Sequence, residues 1–123
     1  MTKREYYERL WQAAGDGTFP SISNGNCLYR GDQTAACKQR CAAGLLVPDE
    51  EYRRDMEGHD VRAMGNRGLF QTLLPEGLDL DDLRDVQKIH DDCAVEENGW
   101  DAAAFRNALA CMPCFAGVQR RTA

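Results

Sequence analysis

At 123 residues the chain has the length of one domain, 1–123, able to bury a single core without obligatory staples. Its 43% hydrophobic and 28% charged residues suit a globular protein, and no apolar run approaches the roughly 20 residues of a membrane span, so no membrane association is expected. A net charge of −5 without clustered Lys and Arg disfavours nonspecific nucleic-acid binding, which depends on counterion displacement.

The first predicted element is a helix over 2–14. Tyr6, Tyr7, Leu10, Trp11 and Ala14 recur at helical spacing, and Thr2 with Glu5 fits a capping box. Gly15-Asp16-Gly17 is read as its stop. Residues 15–26 form a loop rich in Gly, Ser, Asn and Pro. Residues 27–30 read as a short strand, 31–36 as a turn, and 41–47 as a second strand pairing back. Such a hairpin must lean on helices, because two strands alone are marginal in water. Pro48 followed by Asp49, Glu50 and Glu51 resembles the opening of a short helix, stopped at Glu57-Gly58.

Over 60–74, Gly65 and Gly68 interrupt the apolar residues, which predicts a frayed helix, a turn and a short helical stretch before Pro75. A clearer helix is predicted over 80–95, with Leu83, Val86, Ile89, His90 and Cys93 on its buried stripe and Asp79, Asp81 and Asp82 at its positive end. The last helix is expected over 100–112, with Trp100, Phe105 and Leu109 inward, followed by a flexible tail over 115–123. The fold class is therefore mainly α: a compact helical domain with a small two-stranded β-hairpin.

The cysteines are the most distinctive chemical feature, six in all and three of them between Cys27 and Cys41. The basic start Met1-Thr-Lys-Arg has no apolar segment behind it, so no secretory leader is expected. The expected compartment is a reducing cytoplasm, where thiols stay free, metal-bound or redox-active. Cys37-x3-Cys41 and Cys111-x2-Cys114 are two short-spaced pairs able to converge on one tetrahedral zinc ion, with Cys27 and His59 as spare donors. The competing reading is that the cysteines are buried small hydrophobes or free thiols, and no cofactor is then required. Cys111-Met-Pro-Cys114 has the C-x-P-C form of a redox site, but it closes a helix where such a site opens one. A nucleophilic Cys41 or Cys27 with His90, oriented by Asp91 or Asp92, is conceivable, although His90 lies on an apolar helix face. The acidic runs over 79–85 and 91–97 lack calcium-loop spacing and read as solvated faces. Tyr29, Arg30, Asp49, Glu50, Glu51 and Tyr52 are polar groups beside the predicted hairpin, either a recognition surface or internal salt bridges and caps.

The run Cys27-Leu-Tyr-Arg-Gly, then Cys41-Ala-Ala-Gly-Leu-Leu-Val-Pro-Asp-Glu-Glu-Tyr52 and Met56-Glu57-Gly58, resembles a group of small uncharacterised proteins of bacteria, phages and other mobile elements. His90-Asp91 and Trp100 follow in similar order. The resemblance implies a bacterial or phage cytoplasmic setting and carries no activity. Cys37 and the Cys111/Cys114 pair depart from it. The expected function is binding of a host or defence-system macromolecule, most simply a bacterial protein, without catalysis. A zinc-stabilised regulatory module is the alternative and a thiol-dependent enzyme the third reading. Oligomeric state is left open.

Overall fold

A computed structural model of the chain describes residues 1–23, 26–34, 38–59, 61–66, 68–95 and 99–118, with the backbone alone described at 23, 26, 27, 62, 66 and 95. In chain order it contains α1 (Lys3–Asp16), β1 (Ile22–Ser23), β2 (Asn26–Cys27), α2 (Val61–Asn66), α3 (Leu80–Cys93), β3 (Ala94–Val95), β4 (Gly99–Trp100) and α4 (Ala102–Ala110). Short 3-10 turns occur at Gly44–Leu46, Arg54–Met56 and Pro113–Phe115. The domain is mainly helical, as its apolar periodicities predict. No described helix is long and apolar enough to cross a membrane.

The helix ends follow local chemistry. Thr2 Oγ1 accepts from the Glu5 amide at 3.1 Å, and the Thr2 amide donates back to Glu5 Oε1, completing the capping box. The stop falls at Gly17 rather than Gly15: Gly17 adopts φ 96°, a left-handed cap that a side chain resists, while Gly15 continues the helix. Asp79 and Asp82 exchange equivalent bonds at the start of α3, at 2.8 and 3.1 Å. Asp101 caps α4 by accepting from the Ala104 amide at 2.9 Å. That cap corrects the expected start at Trp100, which instead pairs with Ala94 across β3–β4. The same pairing takes Ala94 and Val95 out of the predicted helix.

The core gathers Tyr6, Tyr7 and Leu10 of α1, Leu83 and Val86 of α3, and Phe105 and Leu109 of α4. Phe19 enters from the loop after α1. Its ring meets His90, Trp100 and Phe105 edge-on at centroid distances of 5.0, 5.7 and 5.3 Å. Trp11 and Trp100 are only partly buried at the margin. The expected tail begins too early. Phe115 is fully buried, with its ring 5.3 Å from that of Tyr7, and Val118 packs on the core; residues 119–123 lie outside the described set.

The strand expected over 41–47 does not form. The hairpin is Ile22–Ser23 with Asn26–Cys27, and Cys41–Val47 is a buried irregular segment. A continuous apolar run of this length carries no period that separates a strand from buried coil. Buried backbone outside a helix or sheet still needs hydrogen-bond partners; the amides of Leu45, Leu46 and Val47 bond back to Cys41, Ala43 and Gly44, and side chains supply others. The Tyr6 hydroxyl donates to Ala42 O at 2.7 Å, Gln87 Oε1 accepts from the Ala43 amide at 2.9 Å, and Cys41 Sγ accepts from the Gly44 amide at 3.3 Å. Gly44 permits this course because its Cα lies directly against the backbone carbonyl of Tyr29, leaving no room for a Cβ. Gly44→Ala is expected to lower stability by about 1–3 kcal/mol, the usual cost of overpacking where the neighbour is backbone. An unchanged urea midpoint would contradict this packing.

Candidate functional site

The residues singled out around Arg30 come together, but mainly around one another. Tyr29 and Arg30 are buried. The Arg30 guanidinium donates from Nη1 to Tyr29 O at 3.2 Å and to Gly44 O at 3.0 Å, and from Nη2 to Val47 O. Nη2 also reaches Asp49 Oδ1 at 3.2 Å, and the cation lies 5.0 Å from the centre of the Tyr52 ring. Burial lowers the Arg30 pKa, and the nearby Arg40 adds to that, while Asp49 pulls it back. Asp49 Oδ1 also accepts from Arg40 Nη2 at 3.1 Å, although the Asp49 side chain is 72% exposed.

Glu57 closes the cluster and was missed by sequence reasoning. Its carboxylate accepts from the Tyr29 amide at 2.8 Å, the Arg30 amide at 3.1 Å and the Tyr52 hydroxyl at 2.9 Å. The available signal was the Met56-Glu57-Gly58 step, where Gly58 turns the chain at φ 84°. Burial and the Glu57 carboxylate raise the Tyr52 phenol above its usual value. Thus Tyr29, Arg30 and Tyr52 act inwardly, holding 48–57 as a firm loop. Glu50 and Glu51 remain on its outside, both exposed, and Glu51 has no side-chain partner among the described residues.

Beside this loop, a shallow cleft of about 360 Å³ opens toward α2 and the turn that follows it. Met56, Met64 and Leu69 lie beneath, and Glu51, Arg53 and Asp55 stand on the rim. Arg53 and Asp55 form an exposed pair at 3.5 Å.

His90 is fully buried, and both of its ring nitrogens are engaged. Nε2 lies 3.2 Å from the Ser21 amide, which can only donate, so the proton sits on Nδ1 and is donated to Asp91 Oδ1 at 2.9 Å. Gln87 Nε2 donates to the same carboxylate oxygen at 2.8 Å. Asp91 therefore orients His90 as the sequence suggested, while the nitrogen a base would use is occupied by backbone. Ser21 Oγ turns away to donate to Leu28 O.

The proposed zinc donors fall in different settings. Cys41 is buried, Cys114 is partly buried and Cys111 is exposed, while Cys37 lies outside the described residues. Among the described residues, no three His, Cys, Asp or Glu side chains are grouped as a metal site would require. Burial, with a contribution from Asp82, pushes the Cys114 thiol up to about 11. Burial also holds the Tyr6 hydroxyl well above its ordinary 10.0.

These raised values have a consequence for stability. Below the ordinary thiol value of 9.0 both states keep their protons. Above it, the unfolded chain loses protons that the folded chain retains, so stability falls as pH rises. The melting temperature should hold steady from neutrality to about 9 and then decline through about 11, where Cys114 titrates in the fold. A flat profile across that window would contradict the burial of these groups.

Comparison with protein-family models, with curated proteins and with solved structures gave no match to the chain.

Proposed function

We propose that the protein is a non-enzymatic binding module that acts on another protein in the cytoplasm of a bacterial cell, as an inhibitor of a host or defence factor carried by a phage or mobile element would. The binding role is supported by how the polar side chains are used. His90, Arg30 and Glu57 spend their hydrogen-bonding capacity on the chain's own backbone and near neighbours. The loop that Arg30 and Glu57 support carries Asp49, Glu50 and Glu51 outward on an anchored frame. That frame is the observation that carries the reading, because a surface held in place loses little conformational entropy on association. The genetic setting rests on the resemblance of the 27–58 segment to small phage and bacterial proteins.

The test is capture of partners from a bacterial lysate on the immobilised full chain. A stoichiometric protein retained by the wild type and lost with the Glu50→Lys, Glu51→Lys double variant is the expected result. Recovery of no protein, or of the same protein on both baits, would count against this face as the binding surface.

A further inference from the structure

The cleft beside the 48–57 loop has a composition that selects its occupant. Its base includes Met56, Met64 and Leu69; the two methionines are almost wholly buried, so Leu69 and the edges of their thioethers supply the apolar part of a lining that is otherwise polar. Its rim carries two carboxylates and one guanidinium. Arg53 and Asp55 neutralise one another, leaving Glu51 as the rim carboxylate with no ion pair among the described residues. An apolar patch beside one such carboxylate complements a side chain with a hydrocarbon stem and a single positive head.

We propose that this cleft receives a lysine or arginine side chain of a protein partner, with its stem over Met56, Met64 and Leu69 and its cationic head on Glu51. The volume of about 360 Å³ accommodates such a side chain together with part of the backbone that carries it. The proposal rests on the reading of the protein as a binding module and adds the chemistry of the group it recognises. A purely apolar insert would leave Glu51 without a partner, and an acidic one would meet it with like charge.

The test uses capped tripeptides with a central lysine, arginine, norleucine or glutamate, titrated into the full chain at low salt and followed by NMR. The lysine and arginine peptides should shift the Gly68, Leu69 and Thr72 amides and the Met56 and Met64 methyl groups saturably. Glu51→Gln should weaken that binding about two- to fivefold, the effect of one exposed ion pair, while the rest of the spectrum stays unchanged. Added salt should weaken the wild type more than the variant. Equal shifts from norleucine, stronger shifts from glutamate, shifts confined to the acidic face of α3, or indifference to Glu51→Gln would each overturn the proposal. Because these peptides report on the cleft alone, that failure is separable from a failure to capture any partner in lysate.

Discussion

Arg30→Met is expected to destabilise the fold by about 3–5 kcal/mol, with little loss of packing. Methionine keeps the aliphatic stem but removes every donor. Val47 O then loses the guanidinium, Tyr29 O and Gly44 O each lose a charge-assisted bond, and Tyr52 loses the cation over its ring. Each buried acceptor left short of a donor costs about 1–3 kcal/mol. Arg30→Lys should recover only part of the loss, because one ammonium cannot span three carbonyls set around a planar fork. Asp49→Asn supplies the contrast. Its side chain is 72% exposed, so its ion pairs are screened and the change should stay within about 1 kcal/mol. Urea unfolding of the three variants checks the series. Equal midpoints for Arg30→Met and the wild type would show that Arg30 does not hold the loop.

Phe105→Ala should cost on the order of 3–5 kcal/mol. Phe105 is fully buried, its ring 5.3 Å from the rings of both Phe19 and Trp100. Truncation opens a cavity where α4 and the loop after α1 converge on His90. The neighbours cannot easily collapse into it, since Trp100 is tethered by its indole N–H to Ala14 O at 2.7 Å and His90 is held at both nitrogens. Phe105→Leu, which retains most of the volume, should lose less than about 1.5 kcal/mol. Chemical denaturation followed by tryptophan fluorescence gives both values. An unshifted midpoint for Phe105→Ala would place that face of α4 outside the core.

The helices were legible because their determinants lie within a few residues. Thr2 and Glu5 cap α1, Asp79 caps α3, and Tyr6, Leu10, Leu83 and Val86 recur at the helical period. Boundaries moved where one side chain or one pairing decided them, as with Asp101 taking the cap of α4 and Ala94 leaving α3 for Trp100. The 41–47 segment was illegible for a different reason. Its conformation depends on Tyr6, Arg30 and Gln87, and no local pattern announces a tyrosine hydroxyl bound for a carbonyl 36 residues away. The candidate site was legible in part. Arg30, Asp49 and Tyr52 are neighbours, as their common placement suggested, but only the three-dimensional arrangement separates the inward Arg30 from the outward Glu51. Glu57 escaped notice because an acid before a glycine reads as a turn residue, while its actual partners are two amides nearly 30 positions earlier.

The irregular segment also bears on the order in which the chain assembles. Its distant anchors span 36 residues to Tyr6, 14 to Arg30 and 44 to Gln87, and the single turn at Gly44–Leu46 is too short to fix its place unaided. Helices form on their own timescale, but this stretch can settle only after α1 and α3 have docked and presented their side chains together. It thus reports on the coincidence of two distant parts of the chain. A molecule with helices formed but not yet packed against one another would carry 41–47 as loose, apolar and exposed polypeptide, the point at which a half-assembled chain is most open to association with its own kind.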